Sequence, residues 1–334
     1  MQTGEIAALA AAILWTCSSM LWGQIKLPAL TLNACKNVIG SVFILAHLAF
    51  VWSFCGFSAA WQFTSRPMDW CWLSLSGLVG IVIGDTFYFR CLQILGARRA
   101  LLVSCASPVF ATILGWIFLQ QQLGLVVLSG IVITVLGVAT VVSDRRADVE
   151  SPGLLPGTFQ AGIACGILGS VCQALGGLFS TLGMQEGLGP LEATFIRLLV
   201  AGVVTVSMLV ARQHSRRLFR ESFQRSQLKF IVPATAIGTW LGIWLSQIAY
   251  HGADLAVAQT LMSTCPLFAI PVVWICFGHK STRYAIVGTI LTLVGIWMTV
   301  QKADVLEHSH LSLRGCDFME TCSSNSSRFG ASHG

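Results

Sequence analysis

The sequence predicts an all-α integral membrane protein of ten transmembrane helices, arranged as two inverted five-helix repeats. Three observations predict this fold class: an apolar composition, ten apolar segments of spanning length, and a similarity between the two halves of the chain. The 334 residues are 55% hydrophobic and only 10% charged, with a mean hydropathy of +0.75. So few charges cannot cover the surface of a water-soluble globule of this size, and the solvent must therefore be lipid.

Ten segments are long and apolar enough to cross a bilayer. A helix of about 20 apolar residues crosses the hydrocarbon core, and lipid admits only backbones that satisfy their own hydrogen bonds. We number the segments spans 1 to 10 and expect them at 4–23, 31–54, 70–94, 97–119, 122–142, 157–183, 191–211, 229–250, 255–277 and 283–300.

The second half of the chain repeats the first at an offset of 158 residues. Without a gap, this shift pairs Gly84/Gly242, Ala100/Ala258, Pro108/Pro266, Phe110/Phe268, Trp116/Trp274, Gly130/Gly288, Thr134/Thr292 and Gly137/Gly295. Each repeat then contains five spans, and an odd number makes the second copy enter the membrane from the opposite side. We expect repeats at 1–145 and 146–302, followed by a disordered polar tail at 303–334.

The net charge of +6 comes from the loops, so it indicates membrane orientation and gives no reason to expect a nucleic-acid partner. We call the side of the loops that follow odd-numbered spans the odd-loop face, and the other side the termini face. Basic residues assigned to the odd-loop face are Lys26, Arg98, Arg99, Arg145, Arg146, Arg212, Arg216, Arg217, Arg220, Arg225, Lys229, Lys280 and Arg283. The termini face has only Arg66, Lys302, Arg314 and Arg328. By the positive-inside rule, the termini lie away from the cytoplasm.

Lys36 and Arg197 are basic residues that fall inside spans 2 and 7, near the start of each. A charge at membrane depth costs at least about 2.5 kcal/mol unless it snorkels, pairs or lines water. One interpretation is that they bind an anionic group of a substrate at a cavity. The other is that both snorkel to lipid headgroups. The sequence leaves both open.

Asp85 is an acidic residue near the middle of span 3. Burial favours the protonated form of a carboxylate, so Asp85 is a candidate for coupling transport to protons. It also has a structural interpretation, in which Arg90, Thr86 or Tyr88 holds it permanently. The equivalent position in the second repeat is Ile243, so a proton site here would be asymmetric.

Pro108 and Pro266 lie in the middle of spans 4 and 9, where a proline removes a helix hydrogen bond. Interrupted helices at equivalent places in two inverted halves indicate a substrate cavity and its hinges, although ordinary packing kinks remain an alternative. Ser104 and Gln259 supply polar groups beside these breaks.

Aromatic and amide side chains deep in other spans are further candidates for a substrate site. Trp15, Trp244 and Tyr88 offer aromatic surface, and Gln173 and Gln247 offer amides that orient a ligand or bridge helices. No motif for a metal or a cofactor occurs, and most of the twelve cysteines lie in apolar spans as small buried side chains.

The chain resembles the drug/metabolite transporter superfamily, specifically its ten-helix EamA-type proteins. The resemblance rests on 84–92, Gly96-Ala97, Ser107-Pro108-Val109-Phe110 and Phe118-Leu119, and on the matching positions of the second copy. Two departures stand out. The corners after spans 4 and 9 hold Gln121 and His279 where the family usually has an acidic residue, and the family commonly places both termini in the cytoplasm, opposite to the charge count.

The resemblance implies a secondary transporter of small polar metabolites, such as amino acids or related compounds, working by alternating access in the plasma membrane. Such proteins often export their substrates and are often driven by protons. The implied partners are a small molecule, lipid and protons, with the chain as a monomer or homodimer and without a cofactor. Because no G-x-S-x-G, H-E-x-x-H or paired carboxylates occur, an intramembrane enzyme lacks its usual parts. A non-transporting scaffold is a further alternative.

Overall fold

A computed structural model of the chain describes residues 2–55, 66–121, 123–142, 157–185, 187–211, 219, 223, 225–265, 267–268, 284 and 286–298. Within these residues every regular element is helical. The helices are Thr3–Trp22, Ala29–Cys55, Pro67–Leu95, Ala97–Ser104, Ser107–Phe118, Leu125–Val142, Phe159–Met184, Pro190–Val210, Arg225–Ala234 continuing through Thr235–Leu241 to Gly242–Gly252, Leu255–Met262, and Ile286–Met298.

These helices correspond to the ten expected spans, and the all-α membrane fold is confirmed. Spans 1, 2, 3, 6, 7 and 8 are each long and apolar enough to cross a membrane. Shorter apolar helices at Ser107–Phe118, Leu125–Gly137 and Ile286–Met298 belong to spans 4, 5 and 10. The expected tail at 303–334 lies outside the described residues.

Spans 3 and 8 each contain a π-helical segment, Gly77–Gly84 and Thr235–Leu241. The two segments begin at equivalent positions of the two repeats. In span 3 the backbone N–H of Asp85 donates to the carbonyl of Gly80, five residues earlier. Such widened turns are rare and occur frequently at functional sites. The spacing of apolar residues in the sequence gave no indication of them.

Close contacts across the molecule are reciprocal between the repeats. A Cβ atom on Gly137 would lie 2.6 Å from the backbone nitrogen of Thr292, and one on Gly295 would lie 2.5 Å from that of Thr134. These two contacts exchange when 158 is added to one partner and subtracted from the other. Such an exchange is the signature of a two-fold relation between the copies. Because each copy has five spans, the axis lies in the membrane plane.

The two halves interlock, and neither stands beside the other as a separate bundle. Span 1 packs chiefly against span 8, and span 3 packs against span 6. The approach is close because glycines face each other, as at Gly4 and Gly252 and at Gly80 and Gly176. This interlocking places spans 1, 3, 6 and 8 around the centre of the molecule.

Candidate functional site

A central cavity lies between the two halves, with an empty volume of about 1030 Å³ counted out to its open mouth. Its wall is contributed by spans 1 to 4 and 6 to 9. The lining side chains with chemical or aromatic character are Trp15, Ser18, Ser19, Trp22, Lys36, Asp85, Tyr88, Phe89, Ser104, Ser107, Ser170, Gln173, Arg197, Thr239, Ser246, Gln259, Ser263 and Cys265.

Most of the residues singled out from the sequence meet at this cavity. The structure brings together Trp15, Lys36, Asp85, Tyr88, Ser104, Gln173, Arg197 and Gln259. They come from seven different spans of both repeats. Their convergence follows from the pseudo-two-fold axis, which brings equivalent depths of the two copies to the same place.

Asp85 forms an ion pair with Lys36. The Lys36 ammonium lies 2.7 Å from Oδ2 of Asp85, and the Lys36 side chain is 4% exposed while that of Asp85 is 26% exposed. The sequence suggested Arg90 as the nearest charged partner on span 3, but Arg90 is exposed. The partner comes instead from span 2, which packs against this part of span 3.

A hydrogen-bond chain ties this ion pair to the π-helical segment of span 3. Lys36 donates to Oδ1 of Asn37 at 3.0 Å, and Asn37 donates to Oδ1 of Asn33 at 3.1 Å. Asn33 then donates to the carbonyl of Ile81 at 2.8 Å and to that of Val82 at 3.2 Å. Backbone carbonyls of a widened turn need such donors inside a membrane. The asparagines on either side of Lys36 therefore hold it in place.

Trp15 has the corresponding role at the second π-helical segment. Its indole Nε1 donates to the carbonyl of Gly238 at 2.9 Å, while its ring lines the cavity. A Cβ on Gly242 would lie 2.6 Å from that same nitrogen, so glycine is required where the indole crosses span 8. Trp15 therefore combines an aromatic wall with a fixed polar contact.

Arg197 lies in the cavity wall and is 4% exposed. Its Nε and Nη1 atoms are buried and have no hydrogen-bond partner within the described part of the chain. Its burial, like that of Lys36, excludes the interpretation in which both side chains snorkel to lipid headgroups. Both basic residues are directed to the interior of the bundle.

Spans 4 and 9 are interrupted at equivalent places. Span 4 breaks after Ser104, and Pro108 lies in the first turn of the helix that follows. The amide of Ala106 donates to Val103, and that of Thr264 donates to Leu261, so the same turn recurs 158 residues later. Pro108 is buried outside the cavity lining. Pro266 lies outside the described residues.

Trp244 and Gln247 are not brought to this cavity. Each follows a lining residue of span 8 by one position, which turns it by about 100° around the helix. The Trp244 ring stands 4.8 Å from the His47 ring, centroid to centroid. Gln247 is fully buried and donates to Ser246 at 3.3 Å.

Further polar groups lie in the cavity wall or beside it. Ser19 shares a hydrogen bond of 3.1 Å with the phenol of Tyr88. Tyr250, packed beside the cavity, accepts from Gln259 at 2.8 Å. Ser107 lines the cavity with a buried hydroxyl that has no partner among the described residues. The described residues contain no group of three or more His, Cys, Asp or Glu that could hold a metal ion.

Comparisons with known proteins agree with this architecture. A solved structure titled only "Crystal structure of protein" superposes with a TM-score of 0.68 at 15% identity, covering 91% of this chain and 98% of that one. At this identity the likeness shows the fold alone. A search of curated proteins finds no match. The family model described as the EamA-like transporter family matches residues 2–143 and 160–301, two segments whose starts are 158 residues apart. The chain belongs to the EamA-like transporter family.

Proposed function

We propose that this transporter carries a small polar metabolite, such as an amino acid or a related compound, by alternating access, and exports it across the plasma membrane in exchange for protons. Family membership makes the chain a transporter and not an enzyme. What supports alternating access is a central cavity whose wall is shared by the two inverted repeats.

Both copies contribute to the wall of this cavity. Span 1 presents Trp15 and Ser18 to it, and span 6 presents Gly169 and Gln173. Inverted-repeat transporters change access by exchanging the conformations of their two halves around such a central site.

Apolar packing is most extensive at the termini face, and a smaller buried cluster around Ile25, Leu95 and Ile231 lies at the odd-loop face. The largest buried apolar cluster unites the ends of spans that meet at the termini face, namely Ala8, Leu73, Met184, Leu188, Tyr250 and Leu255. Lining residues of spans 1 and 6 lie instead in the halves that lead to the odd-loop face. We infer that the cavity opens towards the odd-loop face. Because that face carries the basic loops, an opening there fits loading from the cytoplasm and thus export.

Asp85 supports proton coupling because it is the one acidic side chain among the described residues of the cavity wall. A carboxylate that is exposed to water in one access state and paired with an ammonium in the other can take up and release a proton as access changes. Protonation removes the charge that holds Lys36, so binding of a proton and release of the ion pair are linked. Transport is then coupled to proton movement if the ion pair between Lys36 and Asp85 is formed in one access state and broken in the other.

The test is counterflow of labelled solute into proteoliposomes loaded with a panel of amino acids and related metabolites. Saturable counterflow supports a carrier, whereas a leak that does not saturate, or no crossing at all, contradicts it. Ser104→Phe should fill the cavity and abolish counterflow. Ser129→Phe is the matched control, because Ser129 also bonds the carbonyl three residues earlier but is exposed on span 5.

A further inference from the structure

The two cations of the cavity differ in how their hydrogen bonds are satisfied. Lys36 has Asp85 and Asn37 as partners at 2.7 and 3.0 Å. Arg197 is equally buried, yet its Nε and Nη1 atoms lack partners in the described part of the chain. A buried charge without hydrogen bonds is strongly unfavourable. The guanidinium of Arg197 therefore needs a hydrogen-bond acceptor that the described residues around it do not supply.

The position of Arg197 is built into the packing of spans 3 and 7. A Cβ on Gly77 would lie 2.7 Å from the Arg197 carbonyl oxygen, so glycine lets the two backbones touch. A Cβ on Gly80 would lie 3.3 Å from the guanidinium Nη2. Both glycines belong to the π-helical segment. The segment thus makes room for the arginine and fixes it beside the cavity.

The charges of the described cavity wall sum to an excess of one cation. Asp85 balances one of the two basic residues, and its direct contact is with Lys36. Arg197 has an electrostatic interaction with Asp85 but forms no direct ion pair with it. A ligand with a single negative charge would restore neutrality. A phosphate monoester, with about −1.5 to −2 charges at neutral pH, would exceed what the wall can balance.

We propose that the transported metabolite is a monocarboxylate whose carboxylate binds the guanidinium of Arg197. This inference rests on the proposed transport function and names its substrate class. An arginine fork matches a carboxylate through two parallel hydrogen bonds. The rings of Trp15, Trp22 and Tyr88 give the rest of the molecule an aromatic surface, and the unpartnered Ser107 hydroxyl offers a further polar contact.

The first experiment compares 3-phenylpropanoate with 3-phenylpropanamide, which have nearly the same shape and differ in charge. Each competes against counterflow of a labelled solute that the protein carries. We expect the carboxylate to inhibit about ten- to a hundredfold more strongly, the range for a hydrogen bond to a charged group. Equal inhibition would overturn the carboxylate assignment while leaving transport intact. Absence of counterflow for every solute would instead refute the proposed function.

Variants of Arg197 then locate the effect, and binding of the two compounds to purified protein is followed by tryptophan fluorescence, which requires no transport. Arg197→Gln should remove the preference for the carboxylate over the amide, while the affinity for the amide changes less than about twofold. Arg197→Lys keeps the charge without the fork, so it should restore part of the preference. A variant that keeps the full preference as Gln refutes the role of this residue.

A second measurement uses the unmodified protein and does not depend on counterflow. Binding is followed as protection of the purified protein against thermal unfolding in detergent. We expect 3-phenylpropanoate to raise the unfolding temperature and the amide to raise it much less. Equal shifts with both compounds, or no shift with the carboxylate, would contradict the proposal.

Discussion

The ammonium of Lys36 lies 2.7 Å from the carboxylate of Asp85, and this ion pair joins span 2 to span 3 at the cavity wall. The two partners differ in their access to water, since the Lys36 side chain is 4% exposed and that of Asp85 is 26% exposed. The loss of either partner therefore has unequal consequences. A stranded ammonium remains buried, whereas a stranded carboxylate still reaches water in the cavity.

Asp85→Asn should therefore destabilise the protein more than Lys36→Met. Removing one partner of a buried pair costs about 3–5 kcal/mol, and we expect Asp85→Asn near that range and Lys36→Met below it. The double variant should be more stable than Asp85→Asn alone, because no charge is stranded. Unfolding in detergent, followed by tryptophan fluorescence, measures all three. Additive losses in the double variant would show that the pair contributes no coupling.

Proton coupling at Asp85 predicts a specific loss of function. Asp85→Asn should abolish accumulation driven by an imposed pH gradient while exchange at equal pH continues, because an amide cannot carry a proton. Asp69→Asn is the control, since Asp69 lies in the first turn of the same span and outside the cavity wall. An unchanged pH response in Asp85→Asn would remove this residue from the coupling mechanism.

Alternating access predicts opposite thiol reactivity on the two sides of the cavity. In a cysteine-free background, Ser104→Cys should react with a small methanethiosulfonate reagent from the odd-loop face, because residue 104 lines the cavity and is partly exposed. Ala8→Cys, which is fully buried in the cluster at the termini face, should stay unreactive at rest. During turnover Ala8→Cys should gain reactivity from the termini face. Constant protection of Ala8→Cys during transport would refute alternating access.

Reciprocal packing of spans 5 and 10 predicts that Gly295→Ala lowers stability. Its Cβ would lie 2.5 Å from the Thr134 nitrogen and 2.7 Å from the Gly130 carbonyl oxygen, both backbone atoms that cannot yield. We expect a loss of about 1–3 kcal/mol, as for overpacking elsewhere. Gly202→Ala is the matched control, since its nearest neighbour would be Ser41 Oγ at 3.4 Å. A Gly295→Ala protein as stable as the control would contradict the packing.

Inverted topology predicts that residues 150 and 300 emerge on opposite sides of the membrane. The first follows span 5 and the second follows span 10, and from the charge distribution we expect residue 150 in the cytoplasm. Tags at the two positions, tested with an impermeant reagent before and after permeabilisation, decide the matter. Emergence on one side would exclude inverted five-span repeats.

Much of the fold followed from the sequence because lipid imposes a strong length requirement. The span ends that lie within the described residues were placed to within a few residues, and the offset of 158 residues indicated the symmetry. The family model confirms both the repeat and the transporter identity. Pairs such as Gly137 and Gly295 marked a packing face because only small residues let helix backbones touch.

The angular position of side chains could not be predicted in the same way. A span that is apolar all round gives no periodic signal for the face that turns inward. The π-helical segments add to this, because each widened turn shifts the register of the residues after it. Asp85 follows such a segment directly, and its contact with Lys36 was therefore missed. Trp244 and Gln247 lie at the expected depth in span 8, but Trp244 packs against His47 and Gln247 donates to Ser246 instead of lining the cavity.

The interlocking of the halves also constrains how the protein is made. Spans 1 and 3 leave the ribosome long before spans 8 and 6 exist, so the surfaces around Gly4 and Gly80 wait without their partners. Until synthesis reaches the second half, insertion machinery or other lipid-phase chaperones must shield these grooves. Nascent chains stalled before residue 159 would thus be substrates for membrane quality control.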